Sequence, residues 1–118
     1  MSILEMENTY YFSQGRLISI TPYNKFKDED NNDSYLIASC SGNLEVMKYL
    51  EKEHNWTIHV TNSCQTDAYL LASCYGRLEI MKYLEKEHNW DIHVKAHFGV
   101  DAYYYAKIYK YIEIIKHL

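Results

Sequence analysis

Glycine and proline are scarce in this chain, 4 and 1 among 118 residues. Turn-rich all-β folds draw on both, glycine for positive φ and proline to pre-set turns, so their shortage argues against that class. Cysteines number 3, an odd count that makes no disulfide framework and points to a reducing, intracellular setting. Basic residues are in deficit: 12 Lys and Arg against 16 Asp and Glu leave a net charge of −4. No phosphate-neutralising patch stands out, so nucleic acid is disfavoured as a partner. No apolar run approaches the ~20 residues of a membrane-spanning helix, and no membrane partner is expected. The opening MSILEMENTYYFSQG carries acids and no basic n-region, so it is not a secretory signal. The chain also lacks a Gly-x-Ser-x-Gly elbow, a phosphate-cradling Gly-rich loop and a His-Glu-x-x-His pair, so neither catalysis nor a cofactor is expected.

What the chain has is ordinary globular composition, with 47% apolar and 24% charged residues, an excess of tyrosine (13 copies), and a repeat. Its length suits one domain. The ten residues MKYLEKEHNW occur at Met47–Trp56 and again at Met81–Trp90. At that offset of 34, residues 33–66 align with 67–100 without a gap, identical at 22 of 34 positions. A partial third unit, 101–118, matches 67–84 at 9 of 18 positions. Periods of this length mark stacked architectures in which no unit buries its apolar face alone.

One unit reads as two short helices. In DAYLLASCY, Asp67 is a good N-cap, and small residues on one side allow close approach of neighbouring units. Gly76 ends that run. In RLEIMKYLEKE, Leu78, Met81 and Leu84 recur at helical spacing as an apolar stripe. Glu79 and Lys82 fall on the wet face and are expected to pair weakly. The polar link HNWDIHVKAHFG has no helical period and reads as an extended, hairpin-like loop.

The unit resembles the ankyrin repeat. The family's Gly-His-Leu-Glu-Val-Val-Lys segment is matched by Gly42-Asn43-Leu44-Glu45-Val46-Met47-Lys48 and by Gly76-Arg77-Leu78-Glu79-Ile80-Met81-Lys82. Asn89-Trp90-Asp91-Ile92-His93-Val94 takes the place of Gly-Ala-Asp-Val-Asn-Ala, and Gly99–Tyr104 that of Gly-x-Thr-Pro-Leu-His. The wording KYLEKEHNWDIHVK is similar to ankyrin arrays of giant amoebal viruses. The resemblance implies an all-α ankyrin-repeat solenoid of stacked helix-turn-helix units joined by extended hairpin-like loops, over 32–118. It implies a non-catalytic protein-protein interaction module with an unidentified protein partner. The expected location is intracellular and cytoplasmic, the host cytoplasm if the source is viral. Three departures stand out. The period exceeds the family's by one residue, placed within Glu85–His88. The Thr-Pro-Leu-His network is missing, with Asp for Thr and with Leu36, Leu70 and Tyr104 at the His position. In unit three the turn Gly becomes Lys110, whose left-handed conformation costs roughly 1 kcal/mol and is expected to loosen the turn.

Residues 1–31 fall out of register. They read as a degraded N-terminal capping segment or irregular chain, and TYYFSQGRLISI reads equally as a hairpin around Ser13–Gly15. At the other end Ile112, Ile115 and Leu118 leave an apolar edge, from which marginal stability or self-association is expected. Alternatives to the partner-binding reading are therefore self-assembly through the open C-terminal edge, a relic fragment of a longer array, and a metal-responsive module. The last would use His54, His59, His88 and His93, but that spacing straddles a helix end and favours structural roles, with His93 stacking on His59. Cys40 and Cys74 repeat on one face of adjacent units, too far apart for a disulfide. Trp56 and Trp90, identical in both units, read as packing residues at the base of the link.

Positions that differ between units one and two are released from the repeat geometry. Twelve differ, and half form one block, TNSCQT in unit one and KAHFGV in unit two. The resemblance places this block at projecting loop tips beside a concave inner-helix face, where Ser41 becomes Tyr75. The candidate partner-binding set is Ser63, Cys64, Thr66, Tyr75, His97, Phe98, Val100 and Tyr109. Tyrosine and phenylalanine suit contact because they offer large area with few rotors to freeze.

Overall fold

The computed structural model describes residues 10–13, 16–19 and 32–118. Two strands, β1 (Tyr10–Ser13) and β2 (Arg16–Ser19), pair antiparallel with Tyr10 opposite Ser19 and Phe12 opposite Leu17. Of the two readings of TYYFSQGRLISI, the backbone takes the hairpin; the expectation for the rest of 1–31 lies outside the described residues. Six α-helices follow: α1 (Ser34–Ser41), α2 (Leu44–His54), α3 (Ala68–Cys74), α4 (Leu78–His88), α5 (Ala102–Tyr109) and α6 (Ile112–His117). A 3-10 turn, His97–Gly99, precedes α5. Each unit is one inner helix (α1, α3, α5) and one outer helix (α2, α4, α6). Inner helix packs on inner helix, α1 on α3 and α3 on α5, and each outer helix packs on the inner helix of its own unit.

The inner helices begin on aspartate. Asp33, Asp67 and Asp101 accept from the amides of Leu36, Leu70 and Tyr104 at 3.0, 2.9 and 2.9 Å. Each such cap is worth ~1 kcal/mol. The carboxylates of the first two have a second task. The indole nitrogens of Trp56 and Trp90 donate to Asp33 and Asp67 at 3.1 and 3.3 Å. The duplicated tryptophan therefore pins the end of each unit to its start, in place of the missing Thr-Pro-Leu-His network. Burial raises the Asp67 carboxyl above its ordinary range, and the Leu70 amide and Trp90 indole offset part of that rise.

The core lies where inner and outer helices meet: Leu36, Met47, Leu50, Leu70, Met81 and Leu84 are all fully buried. Truncating one of these to Ala costs ~2–5 kcal/mol. Ala68, Ala72, Ala102 and Ala106, also fully buried, let inner helices approach closely. The Ser39 hydroxyl donates across the first junction to the Ala68 carbonyl at 2.6 Å.

Gly42 and Gly76 both sit at φ +75°, and a Cβ there would meet Arg77 and Tyr111 of the next unit at 3.1 and 3.0 Å. Glycine answers both demands, the left-handed turn and the side chain laid across it. Those crossing residues reach back a unit, Arg77 Nε to the Cys40 carbonyl at 2.8 Å and Tyr111 Oη to the Cys74 carbonyl at 3.2 Å. In unit three the turn is not loosened. Lys110 keeps the left-handed conformation (φ 59°, ψ 41°), and its amide bonds Ala106 and Lys107 like a glycine cap. Its side chain is exposed, so only the backbone penalty remains.

The outer helices join through a carboxylate. Glu51 accepts from Tyr35 Oη of its own unit at 2.8 Å, and from Tyr83 Oη and His88 Nε2 of the next at 2.8 and 2.7 Å. Glu85 repeats the motif with Tyr69 Oη at 2.7 Å and with His117, which occupies the position of Tyr83, at 2.8 Å. Burial first, then the bond to a carboxylate, raises Tyr35, Tyr69 and Tyr83 above the ordinary phenol value. The weak Glu79–Lys82 pair does not form; its counterpart in unit three, Glu113–Lys116, does at 3.9 Å.

Candidate protein-interaction surface

The tips of the first two units are built by the residues where the repeat stops repeating. In unit one the Asn62 amide donates to the Thr66 carbonyl at 3.1 Å, and the Asn62 carboxamide oxygen accepts from Cys64 N and Thr66 N at 2.9 and 3.0 Å. In unit two the Ala96 amide donates to the Val100 carbonyl at 2.8 Å, the equivalent closure. The two tips touch: His97 N donates to the Cys64 carbonyl at 3.3 Å. They therefore form one continuous ridge rather than separate loops.

Phe98 stands at the summit of the second tip, 100% exposed. Its backbone lies at φ 62°, ψ 20°, inside the 3-10 turn. A bulky residue with positive φ is a genuine outlier, and such strain persists only where the surroundings impose it. Here they do, since Ala96, His97 and Val100 all have their amides tied. The energy goes into holding an aromatic ring out in water.

Beside the ridge runs the inner-helix layer with its tyrosines. Tyr75 and Tyr109, at equivalent positions, are 43% and 53% exposed. The Tyr109 hydroxyl lies beside the Cys74 thiol, and its ring lies 5.9 Å from that of Tyr111. Tyr105 is half-buried and its hydroxyl bonds the Thr66 side chain, joining the layer to the first tip. Burial raises the Cys74 thiol, which suits an inert packing group.

Of the sequence-derived set, Ser63, Cys64, Tyr75, His97, Phe98 and Tyr109 are exposed, and Val100 is half-buried. Thr66 must be corrected. It is only 3% exposed, because the turn closed by Asn62 folds it inward against Tyr105, so it braces the tip and offers no contact area. Sequence reasoning missed Tyr105, whose counterparts Ile37 and Leu71 are buried apolar residues. A tyrosine replacing them in unit three was the available signal.

The histidines have structural partners. His88 bonds Glu51, and His54 lies 3.3 Å from the Tyr49 hydroxyl. The expected His93–His59 stack is replaced: His59 stacks on Trp90 of the next unit, ring centroids 4.3 Å apart. The indole is the larger flat surface within reach and is only 6% exposed beneath the imidazole. The three cysteines are free thiols, Cys40 buried, Cys74 half-buried and Cys64 exposed. No helix among the described residues is long and apolar enough to cross a membrane.

No protein-family model matches the chain, and no curated protein matches it. Among solved structures it is similar to a chain in the crystal structure of the yeast ribosomal protein Rps3 in complex with its chaperone Yar1. The match has a TM-score of 0.69 at 21% identity, covering 86% of this chain and 74% of that one. The likeness bears on the fold: residues 32–118 form the expected ankyrin-repeat solenoid of stacked helix pairs, and the β1–β2 hairpin ahead of them is the departure from an all-α chain.

Proposed function

We propose that this chain is a non-catalytic ankyrin-family module that binds a protein partner through its loop tips and inner-helix face. The observation that carries the reading is the braced ridge with Phe98 wholly in solvent. A soluble domain gains nothing in its own fold from an exposed phenylalanine held at positive φ, whereas an aromatic anchor suits the centre of an interface. Tyr75 and Tyr109 extend the same face with rigid amphipathic rings. The likeness to a chaperone solved in complex with a ribosomal protein supports protein binding as the class of function. The test is capture by the immobilised chain from the native cell. Replacing Tyr75, Phe98 and Tyr109 by alanine abolishes capture while helicity is retained; capture unchanged by the triple variant refutes the assignment.

A second reading rests on a different surface. Tyr103 and Tyr104 are each 49% exposed, while their counterparts in unit two, Tyr69 and Leu70, are fully buried; Ile108 and Ile112, 49% and 56% exposed, extend the same edge. Self-assembly through this edge predicts a mass that rises with concentration in sedimentation and falls back to monomer in Tyr104→Glu.

A further inference from the structure

A groove opens between the outer helices where unit one meets unit two. From α2 it is lined by Lys48, Glu51 and Lys52, which share a helix face at i, i+3 and i+4. The link after α2 adds Trp56 and Ile58, and α4 adds Tyr83 and His88. Its volume of about 530 Å³ falls within the ~300–1,000 Å³ of small-ligand sites.

The polar groups of the groove divide into engaged and free. The Glu51 carboxylate accepts from three donors, and two of them, Tyr83 Oη and His88 Nε2, line the groove beside it. Those bonds spread its charge and commit both donors. Lys48 and Lys52 make no ion pair among the described residues. Lys48 Nζ lies 5.2 Å from the centroid of the Tyr83 ring, and Lys52 is exposed. Two ammonium groups therefore share the lining with one saturated carboxylate, while Glu45 and Glu53 of α2 and Glu87 of α4 lie outside it. The apolar part of the lining is largely aromatic. Trp56 and Tyr83 bring rings and Ile58 an aliphatic side chain, and all three are half-buried.

The second junction repeats the lysines but not the rings. Lys82 and Lys86 stand at the equivalent positions of α4, yet His117 takes the place of Tyr83 and bonds Glu85. Trp90 is only 6% exposed beneath His59.

We infer that the groove at the first junction binds a small, flat aromatic acid, its anionic group held by Lys48 and Lys52 and its ring laid against Trp56 and Tyr83. Bonds from ammonium to an anionic oxygen are charge-assisted, and aromatic walls favour a flat ring over a branched one. A longer polyanion is disfavoured, because the glutamates outside the lining meet whatever extends beyond the groove. No residue of the tips or of α5 lines the groove, so the inference goes beyond the protein-binding reading and stands independently of it.

The test titrates the full, nitrogen-15-labelled chain with 2-naphthoate and with its uncharged counterpart 2-naphthamide, following the two assigned indole N–H resonances by NMR. Naphthoate shifts the Trp56 resonance saturably, with a Kd on the order of 1 mM for so small a ligand, and leaves Trp90 in place. Naphthamide binds at least about fivefold more weakly. Lys48→Gln/Lys52→Gln weakens naphthoate binding by a similar factor, while Lys82→Gln/Lys86→Gln, the same exchange in unit two, leaves it unchanged. Equal binding of the amide overturns the inference, since the lysines then contribute nothing. Equal weakening by the two lysine pairs overturns it in favour of unspecific attraction to the outer helices. A Trp56 resonance that does not move, or moves without saturating, overturns it outright.

Discussion

Replacing Glu51 by alanine is a perturbation whose size can be worked out atom by atom. Its carboxylate receives three donors at 2.7–2.8 Å, Tyr35 Oη, Tyr83 Oη and His88 Nε2. The side chain is 15% exposed, so little of the lost bonding is returned by water. Hydrogen bonds to a charged acceptor contribute ~1.5–3 kcal/mol each, and an orphaned buried donor costs ~1–3 kcal/mol. Tyr35 is fully buried and its hydroxyl is stranded outright, while Tyr83 and His88 are half-buried and recover part of their solvation. Counting the first in full and discounting the other two gives about 3–5 kcal/mol for Glu51→Ala. That is a large fraction of the ~5–15 kcal/mol that separates folded from unfolded domains. At ~4–8 °C per kcal/mol for a domain of this size, the melting temperature falls by more than about 10 °C. Urea denaturation followed by circular dichroism measures it, with Glu53→Ala on the exposed side of the same helix as control, expected within about 0.5 kcal/mol of wild type. The double variant Glu51→Ala/Tyr35→Phe removes the stranded hydroxyl and is less destabilised than the sum of the singles, by about 1–2 kcal/mol. Equal costs for Glu51→Ala and Glu53→Ala, or strict additivity in the cycle, refute the account of this carboxylate as the clasp between units.

Three further outcomes follow from particular residues. Lys110→Gly relieves a left-handed non-glycine turn and raises stability by up to about 1 kcal/mol in the same urea assay; a loss of stability contradicts that reading of the turn. Phe98→Gly leaves the melting temperature unchanged or higher, since the ring is wholly exposed and strained, while capture of the protein partner weakens; a fall of several degrees means that the ring packs against the fold after all. Alkali unfolds the chain from about pH 10 upward. Tyr35, Tyr69 and Tyr83 have folded-state values above the ordinary 10.0, so their contribution is fully present below that pH and is lost as pH climbs toward the folded values. Tyr35→Phe/Tyr69→Phe flattens that dependence, and an unaltered alkaline profile refutes the coupling.

The helices, their caps and their stacking order were legible because each is a local or periodic signal. Asp before an apolar run, Gly after it and a 34-residue echo are all written along the chain. The Glu51 clasp was written as well, since Glu51, Tyr83 and His88 and their counterparts recur, but its partners are 32 and 37 residues apart. That separation carries no meaning until the units are stacked. The tryptophan bond to the cap aspartate, 23 residues back, was hidden in the same way. The tip conformation was beyond reach for another reason. Gln65 and Phe98 adopt positive φ, which neither residue type favours, so the neighbours impose it and sequence propensity does not.

Difference alone does not mark function. Ser34/Ala68, Ile37/Leu71 and Val46/Ile80 differ between units one and two, yet all six residues are buried, and each pair is a swap between small or aliphatic side chains that a repeated core absorbs. Asn43/Arg77 also differ, and both are structural. Asn43 caps α2 by accepting from Val46 N at 3.2 Å, while Arg77 gives up that cap to reach the Cys40 carbonyl. Thr66/Val100 also differ: Thr66 is buried against Tyr105, while Val100 is half-buried. Residues that both differ and are exposed without a side-chain hydrogen bond among the described residues cluster at the two tips, Thr61, Ser63, Cys64 and Gln65 in the first and Lys95, His97 and Phe98 in the second. If the unit is a scaffold reused and the tips are its variable part, grafting KAHFGV over residues 61–66 transfers a second Phe98-like anchor to unit one. Partner capture then strengthens, while the melting temperature falls because the graft removes the Asn62 side-chain bonds to Asn32, Cys64 and Thr66. A graft that folds and gains nothing shows that the ring alone does not make the site, and that the tyrosines of unit three are required beside it.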